Sequence, residues 1–138
     1  FHVVLYLATM RVRLAVDVGN FLTARGRFRQ ALSLFHLALR LGPDGASRQI
    51  VAINRGVTQL RMQEPEAAYF TLKQVLIDEE ARPGARYLAA GYYNLGVACL
   101  RTGRRQEAGR SFRKAIEALP GSLYAHAAEQ ALQREGLE

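Results

Sequence analysis

The chain has 138 residues, 49% of them hydrophobic and 22% charged, enough for one domain that buries roughly two-thirds of its unfolded surface. Nineteen Lys and Arg against twelve Asp and Glu give a formal net charge of +7, and this balance excludes an intrinsically disordered chain. A lone cysteine, Cys99, excludes an intrachain disulfide framework, and Cys/His zinc spacing is absent, so no metal and no oxidising compartment are expected.

The chain opens at Phe1 rather than at methionine, which points to a missing upstream segment. Residues 1–11 begin with an apolar run, Phe1 to Met10, about half of a membrane span. Arg11 and Arg13 follow at once, as they would on the cytoplasmic side of an anchor. The run reads either as an apolar helix that packs on the domain or extends the next one, or as the remnant of a truncated anchor. It is not a complete signal peptide, because a charged start and a small-residue cleavage site are missing. The expected location is cytoplasmic, with a membrane-anchored protein whose repeats face the cytoplasm as the alternative.

Residues 12–122 repeat themselves. Aligned on Gly19, Gly56 and Gly96, the three segments place an alanine twelve residues on: Ala31, Ala68 and Ala108. Four further on stand Phe35, Leu72 and Phe112, then Ala38, Val75 and Ala115. Pro43 and Pro120 close the outer segments, where the middle one has Glu80. Each segment splits into two helix-length halves, divided by Gly26, by Glu64-Pro65 and by Gly103. In the second halves apolar residues recur at three- and four-residue spacing, and no alternating strand pattern competes. The fold class is all-α.

Glycine inside a helix costs about 1 kcal/mol relative to alanine. Gly19, Gly56 and Gly96 therefore mark close approach of a partner helix, with Ala31, Ala68 and Ala108 as the small partners. Phe35 and Phe112 would fill the space between one helix pair and the next, and stacked pairs would share a continuous core. The units are 12–45, 49–82 and 89–122, with the extra residues around 46–48 and 83–88 expected as loops. Ser122 and Gly136 bracket one more helix within the tail 123–138.

Tyr92, Leu95, Gly96, Ala108, Phe112, Ala115 and Pro120 resemble the tetratricopeptide repeat (TPR) pattern W-x2-L-G-x2-Y, A-x3-F, A, P. The first segment follows the pattern through Gly19, Leu22, Ala31, Phe35, Ala38 and Pro43. The second is weakest, with Arg55 and Gln59 where apolar residues are usual. The resemblance implies an α-solenoid of three helix-turn-helix units with a C-terminal capping helix. It also implies a protein-interaction module or scaffold whose first helices line a concave groove for a partner peptide or helix.

Carried onto this sequence, the groove positions include Arg13, Asp17 and Asn20 in the first unit. They include Asn54 and Arg61 in the second, and Tyr93, Asn94, Val97 and Arg101 in the third. An asparagine amide both donates and accepts, so Asn20, Asn54 and Asn94 suit a peptide backbone. Arg61 and Arg101 would favour acidic partner residues. The family's carboxylate-gripping arrangement does not carry over, because Val16, Ala90 and Asn94 stand where basic residues are needed.

Charge is unevenly placed. Residues 1–61 carry nine basic and two acidic residues, 82–114 carry eight and one, and 62–81 and 115–138 are acidic. Arg25, Arg27, Arg104 and Arg105 fall at turns between paired helices and would form a basic edge. That edge suggests an alternative function, binding nucleic acid or anionic lipid, though no reading helix or base-stacking pattern accompanies it. Self-assembly through the apolar N-terminal helix or the end units is a further alternative, so a homo-oligomer stays open. His2, His36 and His126 are scattered, Cys99 holds a core position, and residues 42–45 form a turn rather than a phosphate loop. No enzyme activity, catalytic residue or cofactor is expected, and the expected partner is a protein or peptide, with nucleic acid disfavoured.

Overall fold

The computed structural model describes residues 2–41, 45–77 and 83–137. Phe1, Pro43, the remainder of the 42–44 turn, and the Glu79-Glu80 pair lie outside the described residues. Among the described residues seven helices follow in order: α1 (His2–Ala24), α2 (Phe28–Arg40), α3 (Gly45–Arg61), α4 (Pro65–Ile77), α5 (Ala85–Arg101), α6 (Arg105–Ala118) and α7 (Leu123–Glu135). The helices pack as pairs α1·α2, α3·α4 and α5·α6, and each pair packs on the next through α2·α3, α4·α5 and α6·α7. Contacts α1·α3, α3·α5 and α5·α7 set the first helices side by side, which makes the stack a solenoid with α7 as its cap.

The three interior glycines explain how each pair closes. A Cβ added at Gly19 would stand 2.5 Å from Phe35 Cε1, at Gly56 2.6 Å from Leu72 Cγ, and at Gly96 2.5 Å from Phe112 Cε1. Real Cβ atoms do not come so near, so only glycine leaves room for the large side chain of the second helix. The side chain that meets each glycine is thus Phe35, Leu72 or Phe112, where Ala31, Ala68 and Ala108 were expected. The rings seat within a pair, and the fully buried alanines line the second helix beside them.

The turns inside the pairs repeat one conformation. Gly26 and Gly103 have φ of +77° and +80°, and the residue at the same place in the middle pair, Gln63, has φ +64°. Each turn closes with the same long-reaching bond: Arg27 N to Leu22 O at 2.8 Å, Glu64 N to Gln59 O at 3.0 Å, and Arg104 N to Cys99 O at 2.8 Å. Residues 46–48 and 85–88, expected as loops, are the first turns of α3 and α5. After Gly45 and Gly84 those stretches hold no helix breaker, so the inserted residues lengthen the helices. At α7, Ser122 Oγ accepts from Ala125 N at 3.0 Å, and Gly136 ends the helix at φ +66°.

Two apolar clusters make the core. One gathers Val12, Val16, Phe35, Ala38 and Val51; the other joins α3 through α7 around Ile53, Leu72, Cys99, Phe112 and Leu132. A polar seam crosses between them, with Thr23 and Thr58 hydroxyls 2.9 Å apart. Gly19 O lies 3.0 Å from Thr23 Oγ1 and Asn54 O 2.9 Å from Thr58 Oγ1, so one hydroxyl donates to its own helix and the other to its neighbour or likewise to its helix, and both buried hydrogens have an acceptor.

Candidate functional site

Side by side, α1, α3, α5 and α7 form a hollow of about 440 Å³ on the face lined by the first helices. Asn20 enters it from α1, Ile53, Asn54 and Val57 from α3, Tyr93 and Asn94 from α5, and Tyr124 from α7. Asn54 and Asn94 are held alike. Each amide Nδ2 donates to the carbonyl four residues back, Ile50 O and Ala90 O, both at 2.8 Å. That bond fixes the amide on the helix and leaves its oxygen and second N–H for another partner. Tyr93 packs between Phe112, at 5.8 Å between centroids, and Tyr124, at 6.2 Å, so its ring is braced from both sides.

Other predicted groove residues fall elsewhere. Arg13 and Asp17 are exposed on α1 and do not line this hollow. Val97 is half-buried against the larger core cluster. Arg101 donates Nη1 to Leu60 O at 3.3 Å, bridging α5 to the end of α3. Arg61 stands over the Phe28 ring at 5.9 Å and shares a hollow at the turn edge with Arg27 and Gln63.

Arg86, Tyr87 and Tyr124 line the asparagine hollow without having been singled out in the sequence. α5 starts at Ala85, so its groove face begins one turn earlier than the repeat pattern allows. Tyr124 comes from the cap. Stepping the groove spacing back one turn from Ala90 would have reached Arg86 and Tyr87.

The arginines of the turn edge are unequally engaged. Arg104 grips Glu66 with two bonds, 2.8 and 3.3 Å, and stacks over Tyr69 at 3.8 Å from the ring centroid. The bonds to Arg104 hold the Glu66 carboxyl below its ordinary value. Arg105 donates to Glu135 O at 2.6 Å and to Glu135 Oε2 at 3.4 Å, tying α6 to the end of the cap. Arg25 stacks on Phe21, and Arg27 is exposed; neither has an ion pair among the described residues.

Beside Arg104, Tyr69 donates to both Glu107 oxygens, at 2.8 and 2.9 Å, and Lys73 pairs with the same carboxylate. Burial pushes the Glu107 carboxyl up, but the bonds from Lys73 and Tyr69 together outweigh it and hold the carboxyl below the usual range. This cluster rivets α4 to α6. Cys99 is fully buried and burial pushes its thiol up to about 11, far from a nucleophile's range. Among the described residues no group of three or more His, Cys, Asp or Glu is placed to hold a metal ion.

Residues 89–122, which comprise most of α5, all of α6 and the Ser122 cap, match the tetratricopeptide repeat family profile. The fold is TPR-like. No curated protein matches the chain. A TPR-like stack of paired helices supports a protein-interaction or scaffold role.

Proposed function

We propose that the hollow lined by α1, α3, α5 and α7 takes an extended segment of a partner protein. The observation that carries this reading is the convergence of Asn20, Asn54 and Asn94, from three successive first helices, on one hollow beside Tyr93 and Tyr124. The amides address the backbone of the segment. Val57 and Tyr93 offer apolar contact, and Arg86 favours an acidic side chain near the cap. The partner orders on binding, so affinity is modest. The protein works as a non-catalytic interaction module.

Binding at the turn edge is the less favoured reading, because Arg104 and Arg105 are occupied by Glu66 and Glu135. Titration of an isolated partner tests the choice. Asn54→Ala with Asn94→Ala is expected to weaken binding about tenfold or more, at roughly 1 kcal/mol per lost bond, with helix content unchanged. Unchanged affinity, or loss only with Arg25→Gln and Arg27→Gln, would overturn the groove assignment.

A further inference from the structure

Helix α1 carries one buried stripe and one exposed apolar stripe. Val12, Val16, Gly19 and Thr23 are buried toward α2 and α3. Val3, Leu7, Met10, Leu14, Val18 and Phe21 recur at three- and four-residue spacing and are exposed, Leu14 by 64% and Phe21 by 56%. With 3.6 residues per turn the two stripes are centred on opposite sides of the helix. A helix side that faces water ordinarily carries polar residues, and a contiguous apolar patch marks an interaction surface.

Charge selects the occupant. Arg11 and Arg13 flank the stripe on opposite sides, and Arg25 stacks over Phe21 at its end, 4.9 Å from the ring centroid. Asp17 is the single acid of α1, and none of these arginines has an ion pair among the described residues. A second copy packed antiparallel along the stripe would centre near residue 12 and press Arg11 and Arg13 of both copies together. Parallel packing would set Arg11 of each copy beside Arg13 of the other. Like charge opposes both arrangements. An anionic bilayer surface complements both features, with apolar side chains at the acyl boundary and guanidinium groups at the phosphates.

We propose that the outer face of α1 binds an anionic lipid surface, the helix lying in its plane. The stripe runs about 27 Å along the helix axis, and Tyr6, also exposed, adds an aromatic ring suited to the headgroup level. No helix among the described residues is long and apolar enough to cross a membrane, so contact is with the surface. Apolar burial and charge act together, as stable surface binding requires. The partner groove is a separate site and does not depend on this one.

Co-sedimentation of the full chain with vesicles tests the proposal. Vesicles of phosphatidylcholine with about one-third phosphatidylglycerol are expected to bind the protein, and phosphatidylcholine alone is not. Leu7→Gln with Leu14→Gln should abolish binding. Arg11→Gln and Arg13→Gln should each weaken it about fivefold. All four side chains are exposed, so helix content by circular dichroism should hold in every variant. Absence of binding, or equal binding to both vesicle types, would overturn the proposal. So would a vesicle-free mass that doubles with concentration and returns to monomer in Leu7→Gln/Leu14→Gln, which would give the stripe to a second copy.

Discussion

Where Gly96 admits the ring of Phe112, the middle pair sets Gly56 against the smaller Leu72. Around those contacts the two pairs diverge. The third pair has Leu95 and Cys99 buried beside its glycine, and Gly103 in its left-handed turn. The middle pair has Arg55 and Gln59 at the matching places, with Arg55 Nε and Gln59 Oε1 buried and without a hydrogen-bond partner among the described residues, and Gln63 in the left-handed turn. The same backbone is reached in both. Closure of a helical pair therefore depends on the glycine and the large residue facing it, while the flanking positions tolerate polar groups at a cost in stability.

The largest expected effect comes from removing the large residue. Phe112→Ala should cost about 3–5 kcal/mol and Leu72→Ala about 2–5 kcal/mol, since each leaves a cavity against a glycine that cannot fill it. Urea unfolding measures both, and a loss below 1 kcal/mol in either would break the parallel between the pairs. Next is Gln59→Leu, which gives the middle pair an apolar residue like its neighbours and removes an unsatisfied buried oxygen. It should stabilise by about 1 kcal/mol, read as a raised denaturation midpoint. The smallest effect is Gln63→Gly. Relief of the positive φ gains about 1 kcal/mol, the freer unfolded chain takes part of it back, and about 0.5 kcal/mol of net stabilisation remains.

The solenoid was legible in the sequence because its requirements are local and periodic. Gly19, Gly56 and Gly96, the alanines twelve residues on, and the Ser122 cap each answer a demand made by the backbone at that place. The large side chain seated on each glycine was harder to assign, since spacing gives the register of two helices but not which side chain fills the gap. Arg104 and Arg105 read as an open basic edge because their acidic partners, Glu66 and Glu135, lie 38 and 30 residues away. No local pattern discloses such pairs. Tyr124 was missed for a similar reason: a capping helix obeys no repeat, so its contribution to the hollow appears only once α5 and α7 are in contact.

The middle pair, despite its polar flanks, presents Asn54 as the third pair presents Asn94, each amide held by the same bond to its own helix. Its weaker match to the repeat pattern thus lies on the core side and leaves the face lined by the first helices intact.

Site-specific photocrosslinking tests the central claim most directly. A photoreactive phenylalanine analogue is placed at Tyr124, in the hollow, or at Phe70, which is exposed on α4 and does not line it. Irradiation with a partner should yield a covalent adduct from the Tyr124 position alone, and Asn54→Ala with Asn94→Ala should abolish it. An adduct from Phe70 and none from Tyr124 would contradict the account and move partner binding off the asparagine face.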